Sequence, residues 1–166
     1  MPMSTIGRVA TVALGFGLVM LLAGSSRAQE ATPPAPITVS VLGKGMPAAA
    51  PGQYLELDRV AFAPGASIPT HIHPGAYLLY VESGDFGFTV LQGQAQLSHA
   101  GATTAQPIDP GPEVVAHAGD VIYEDAGVVH AARNAGDGPL VLLTAGLLAD
   151  TMPSLIPTNA EGTPTS

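Results

Sequence analysis

The stretch GASIPTHIHPGAYLLYVESG, residues 65–84, decides the fold of this chain. Glycines at both of its ends are typical of turns, and the residues between them have the pattern of β-strands. An extended strand places residues two positions apart on the same face, so His71 and His73 can converge on one ion. The stretch therefore predicts a strand that presents a pair of imidazoles.

A second stretch, GDVIYEDAGVVHAARN at residues 119–134, contains His130 between glycine turns. A strand folded across from the first stretch could add His130 to the pair. One histidine near a loop is more simply structural, but three neutral imidazoles aimed at one point form a transition-metal site with open coordination positions. The sequence thus points to a metal more clearly than to a reaction.

The rest of the chain predicts an all-β domain. No long segment has helical periodicity, and short apolar runs alternate with Gly/Pro turns, as in a sandwich or small barrel. We expect residues 86–91 to form a hairpin with 76–81 across Gly84, and residues 99–111 to be the least ordered internal region. The predicted strands are 37–42 (ended by Gly43), one starting at 53, 76–81, 86–91, 94–98, 113–116, 120–123, 128–133 and 140–147.

The N-terminus has the layout of a secretory signal peptide over residues 1–28, with cleavage near Ala28. Its apolar run, residues 9–23, is shorter than the roughly 20 residues that a membrane-spanning helix needs. We therefore expect export to the periplasm or the medium, without a stable membrane anchor after processing. The remaining organisation is predicted as an Ala/Pro-rich segment with a first strand (29–52), a barrel (53–149) and a disordered Thr/Pro-rich tail (150–166).

The composition limits the partners. The chain has no cysteine and a formal net charge of −8, so an exported domain must fold without disulfides. Once the leader is removed, the basic residues are Lys44, Arg59 and Arg133. Because no basic cluster remains, nucleic acid and anionic membranes are excluded as favoured partners, and a small molecule is expected instead.

The two stretches resemble the paired motifs of the cupin family. The matching positions are Gly65-x5-His71-x-His73-x3-Tyr77-x6-Gly84 and Gly119-x5-Asp125-x-Gly127-x2-His130-x3-Asn134. The resemblance covers roughly residues 53–149 and implies a double-stranded β-helix barrel of the jelly-roll type. It implies that His71, His73 and His130 hold a divalent transition metal (Fe, Mn, Zn, Cu or Ni). It also implies a homodimer through an edge strand such as residues 37–42.

The chain departs from the family pattern at Tyr77, where cupins usually have a glutamate ligand. The nearest carboxylate along the strand, Glu82, is an odd number of residues away and should point to the other face. A phenol has a pKa near 10, so we favour Tyr77 as a hydrogen-bond donor beside the metal or as a plug of the barrel mouth. Direct coordination as a phenolate is the less favoured alternative.

Other positions carry weaker signals. Asp125 stands where the family often has a proline. We expect it to cap the turn before His130, and we favour this role over one in which it holds a ligand imidazole. His99 and His117 are expected to be surface or structural residues. The alternation of Tyr77 with Leu79 and Val81 predicts an apolar lining that suits a small, partly apolar ligand.

The resemblance leaves open whether the protein is an enzyme. Some cupin dioxygenases use three histidines without a carboxylate, which implies oxygenase-like chemistry on a small organic molecule. The alternative is a non-catalytic module that binds or senses a small ligand or a metal. A sugar isomerase is a distant third hypothesis, and no catalytic residue or organic cofactor is assigned.

Overall fold

The computed structural model describes residues 36–165, so the predicted signal peptide lies outside the described residues. Within this range the chain forms twelve strands and no helix, and hence no helix that could cross a membrane. The strands are β1 (Ile37–Gly45), β2 (Gln53–Phe62), β3 (Ser67–Ile72), β4 (Gly75–Ser83), β5 (Asp85–Gln92), β6 (Ala95–Ser98), β7 (Gln106–Ile108), β8 (Val114–His117), β9 (Val121–Glu124), β10 (Val129–Asn134), β11 (Leu140–Ala149) and β12 (Ile156–Pro157). The prediction of an all-β jelly-roll domain is confirmed.

The strands form two antiparallel sheets. The seven-stranded sheet has the order β1-β2-β11-β4-β9-β6-β7, and the five-stranded sheet has the order β12-β3-β10-β5-β8. Burial alternates along the central strands, most regularly along β11, because successive side chains of a strand point to opposite faces. The core therefore lies between the two sheets, where Phe62, Phe86, Phe88 and Leu142 are buried.

The pairing of β10 with β3 brings the two histidine-containing stretches together. His130 is the register partner of His71, as expected for a strand that folds back across the first stretch. On its other side β10 pairs with β5, and this pairing places Phe88 opposite Ala132. The five-stranded sheet thus carries both stretches on adjacent strands, with His73 immediately after the end of β3.

The hairpin predicted across Gly84 is wrong. β4 pairs with β11 and β9, whereas β5 pairs with β10 and β8 in the other sheet. Gly84 does make the turn, with a φ of 87°, and a Cβ there would lie 2.7 Å from the carbonyl oxygen of Pro139. The turn therefore carries the chain from one sheet to the other, which a local glycine signal cannot distinguish from a hairpin.

The chain on either side of the predicted barrel also differs from expectation. β1 continues past Gly43, where the pairing with β2 shifts register instead of ending. Residues 99–111 contain the short strand β7. The tail predicted to be disordered is ordered over residues 151–165, where β12 pairs with β3 through Ile156 and Ile72. This pairing satisfies backbone N–H and C=O groups of β3 that would otherwise lie at the edge of the five-stranded sheet. The composition of the tail alone does not reveal such a pairing.

Candidate metal centre

Three histidines converge between the two sheets. One ring nitrogen from each of His71, His73 and His130 lies within 4.8 Å of the others. The ring centroids are 4.1 Å apart for His71 and His130, 5.0 Å for His71 and His73, and 5.3 Å for His73 and His130. The sequence predicted this convergence from the two-residue spacing and the fold-back of the later strand.

Backbone carbonyls fix the orientation of each ring. Nδ1 of His71 lies 2.8 Å from the oxygen of Pro69, and Nδ1 of His130 lies 3.1 Å from the oxygen of Val128. Each of these carbonyls belongs to the residue two positions earlier in the chain: Pro69 lies in β3, and Val128 directly precedes β10. An Nδ1–H that donates to a carbonyl leaves Nε2 as the atom with a free lone pair, which is the usual arrangement of a metal-binding histidine.

His73 obtains the same support from the C-terminal tail. Its Nδ1 lies 2.5 Å from the carbonyl oxygen of Ser154, and this residue lies two positions before the start of β12. The tail therefore orients one of the three imidazoles. No local sequence signal pointed to Ser154, because the contact is made by a backbone atom far along the chain.

Burial keeps the three imidazoles neutral. His71 and His130 are each 2% exposed, and burial lowers the pKa of both side chains below the ordinary value. Burial also lowers the pKa of His73, to about 4. Neutral imidazoles are the form that binds a metal, so desolvation prepares the donor set for a cation. The donors present thus fit a divalent transition ion, which would be held by His71, His73 and His130.

Glu124, at the end of β9, is the site residue that sequence reasoning missed. It is 1% exposed. Its Oε1 lies 3.5 Å from Nε2 of His73, and its Oε2 lies 3.1 Å from Nδ1 of His130. Neither oxygen has a hydrogen-bond partner among the described residues, and burial raises the pKa of Glu124 to about 8. Its position six residues before His130 is the available sequence signal, but alternation along the strand of Tyr77 does not reveal it.

Tyr77 lies beside the histidines, with its ring centroid 4.4 Å from that of His73. It is 6% exposed, and burial, together with nearby carboxylates such as Asp58, raises the pKa of its phenol above the ordinary value. Such a phenol retains its proton at neutral pH. The ring packs across Gly146, since a Cβ at that position would lie 2.7 Å from Cε1 of Tyr77.

A cavity of about 200 Å³ extends from the histidines into the space between the sheets. Its walls are mainly apolar and include Leu79, as the alternation along β4 predicted; Val81 is buried but is not among the lining residues. Asp58 adds a carboxyl group to the lining, apart from the histidine cluster, and its Oδ1 has no hydrogen-bond partner among the described residues. Burial, and to a lesser extent Glu56, raises the pKa of Asp58. The cavity suits a small molecule that is mostly apolar.

The remaining candidates lie away from the histidine cluster. The side chains of His99 and His117 are 49% and 67% exposed and lie beside Asp120 and Asp85 respectively, as expected for surface histidines. Glu82 pairs with Arg59 instead of facing the site. The carboxylate of Asp125 accepts a hydrogen bond from the hydroxyl of Tyr123. Within the described part of the chain, the Asp125 side chain makes no hydrogen bond to the backbone of the turn before His130, so the expected cap is not formed.

The comparisons with known proteins agree with this architecture. The model of the cupin domain family matches residues 58–146, more than half of the chain. The chain therefore belongs to the cupin family, as its two motifs predicted. No curated protein matches the chain.

Solved structures with a similar fold include a cupin 2 conserved barrel domain protein from Leptotrichia buccalis. It is 20% identical, with a TM-score of 0.46, over 73% of this chain and 43% of that one. A cupin domain from Bordetella pertussis is 14% identical, with a TM-score of 0.40, over 72% of this chain and 100% of that one. The oxalate decarboxylase of Lactobacillus farciminis, in a formate complex, is 22% identical, with a TM-score of 0.43, over 62% of this chain. This chain spans about a quarter (26%) of that enzyme's length.

Proposed function

We propose that this protein is an exported cupin that binds a divalent transition metal through His71, His73 and His130 and acts on a small organic molecule beside it. The observation that carries the proposal is the convergence of three buried imidazoles whose Nδ1 atoms each face a backbone carbonyl. A bound ion of this kind supplies Lewis acidity and open coordination positions.

The chain's own residues provide the rest of the site. The walls of the space beside the histidines are mainly apolar, and Asp58 offers a polar contact to one end of a bound molecule. The phenol of Tyr77 stays protonated and can donate a hydrogen bond. A small molecule with one metal-binding oxygen and a mostly apolar body fits this lining. The reaction class we propose is oxygenase-like. Export rests on the pattern of residues 1–28 alone.

Oxygen uptake tests the proposal. The purified protein would be loaded with Fe²⁺ and followed across a panel of phenols and diketones, with His130→Ala as the inactive variant and His99→Ala as a matched control. We expect uptake with at least one compound in the wild type and the control, and none in His130→Ala. Saturable binding without uptake would identify a non-catalytic binding module instead. Neither uptake nor binding across the panel would contradict the proposal.

A further inference from the structure

We propose that Glu124 supplies a carboxylate ligand to this centre from β9, across the sheet from the position where the family motif has its glutamate. The inference rests on the proposed metal site and adds a fourth group to it. Position 77 of β4 holds a tyrosine, and Glu124 is the register partner of Tyr77 in the β4–β9 pair.

The pairing explains how a carboxylate from another strand can reach the same place. Side chains of directly opposite residues in an antiparallel pair lie on the same face of the sheet, with Cβ atoms roughly 5 Å apart. Tyr77 and Glu124 are both buried, so both project from the same wall into the interior. A glutamate at either position can therefore approach the ion from the same side.

The contact of Glu124 with His73 fits a bound cation. Because Nδ1 of His73 faces the carbonyl of Ser154, its Nε2 has a free lone pair and no proton. That lone pair lies 3.5 Å from Oε1 of Glu124. The separation is too long for a hydrogen bond from a protonated carboxyl, which would span roughly 2.5–3.0 Å. A carboxylate oxygen and an imidazole lone pair that face each other in a buried site repel, and a positive ion between them makes both contacts favourable.

The second oxygen of Glu124 has no better partner. Oε2 lies 3.1 Å from Nδ1 of His130, but that nitrogen makes its hydrogen bond with the carbonyl of Val128. Both oxygens of a side chain that is 1% exposed are thus unpaired in the protein, which carries a substantial desolvation cost. A divalent ion removes this cost, and the carboxylate in turn cancels one of the two charges that three neutral imidazoles leave in place.

Titration with Co²⁺ alone, followed by calorimetry and by the visible absorption of the bound ion, tests the inference. We expect Glu124→Gln to weaken Co²⁺ binding at least about tenfold and to change the absorption spectrum. We expect Tyr77→Glu combined with Glu124→Gln to restore much of the affinity, because it returns a carboxylate to the same wall. Glu82→Gln, on the solvent side of β4, is the matched control and should bind as the wild type does.

The outcomes separate this inference from the proposed function. Loss of Co²⁺ binding in His71→Ala with unchanged affinity and spectrum in Glu124→Gln would overturn the role of Glu124 and leave the three-histidine site standing. Absence of binding in the wild type would overturn both. If Glu124→Gln does not fold, the infrared difference spectrum of the wild type on addition of Co²⁺ decides the question. A shifted carboxylate band supports coordination by Glu124, and its absence contradicts it.

Discussion

Tyr77 and Glu124 face the same interior from opposite positions of the β4–β9 pair, and the tyrosine ring rests against His73 while the glutamate lies between His73 and His130. The site therefore combines an aromatic residue and a buried carboxylate on one wall with the three imidazoles. This arrangement gives each side chain a distinct and measurable part in stability or metal binding.

Gly146→Ala should displace the ring of Tyr77. A Cβ at position 146 would lie 2.7 Å from that ring, and overpacking of a buried site of this kind costs about 1–3 kcal/mol. Urea denaturation would measure the loss as a lower midpoint with an unchanged slope. Gly138→Ala is the control, because a Cβ there meets nothing within 4 Å. Equal stability of the two variants would show that Tyr77 does not pack across Gly146.

Removal of the C-terminal tail should weaken the metal site. A chain that ends at Asp150 loses Ser154, whose carbonyl faces Nδ1 of His73. Partners of this kind change metal affinity about 10–100-fold, so we expect a loss in that range by calorimetric titration with Zn²⁺. A chain that ends at Thr158 keeps Ser154 and β12 and should retain most of the affinity. Wild-type affinity in the shorter chain would contradict this role of the tail.

Asp58→Asn should remove one contribution to the pH dependence of stability. The pKa of Asp58 is raised in the folded state from its ordinary value of 3.8. At a pH between the pKa of the unfolded state and the higher pKa of the folded state, the folded state therefore binds more protons than the unfolded state. The contribution of Asp58 to the free energy of unfolding therefore falls as the pH rises through that window. Relative to the wild type, Asp58→Asn should gain stability as the pH rises above about 3.8.

Denaturant titrations from pH 3 to pH 8 would measure this difference. Asp137→Asn, at an exposed position, is the control for the substitution of a carboxyl by an amide. A constant difference between Asp58→Asn and the wild type over the whole range would mean that the carboxyl titrates normally in the folded protein.

The homodimer that the cupin resemblance implied remains a prediction, and β1 is the strand that would form it. β1 is at the edge of the seven-stranded sheet, and Val39 and Val41 are 62% and 60% exposed. We expect a dimer in sedimentation experiments, and we expect the double substitution of Val39 and Val41 by Lys to yield a monomer, because a charged edge opposes strand pairing. Thr103→Lys with Thr104→Lys, at exposed positions outside β1, is the control for added charge alone. A monomeric wild type would contradict the prediction.

The sequence predicted the features that depend on local pattern. The spacing of His71 and His73 placed both rings on one side of the chain, and the glycine turns around His130 predicted a returning strand. Periodicity could not reveal the partners brought in by distant strands. Glu124 was missed because alternation along β4 gives no information about β9, whose Glu124 lies opposite Tyr77. Ser154 was missed because its contact is made by the backbone, which is independent of residue type.

Metal content measured by elemental analysis tests the central claim most directly. The wild type, His71→Ala, His130→Ala and the control His99→Ala would be purified in parallel, with their folds compared by circular dichroism. The control histidine is half-exposed and lies beside Asp120, away from the cluster. We predict close to one divalent transition ion per chain in the wild type and in His99→Ala, and loss of that ion in His71→Ala and His130→Ala. Metal content that is unchanged in the last two variants would contradict the account.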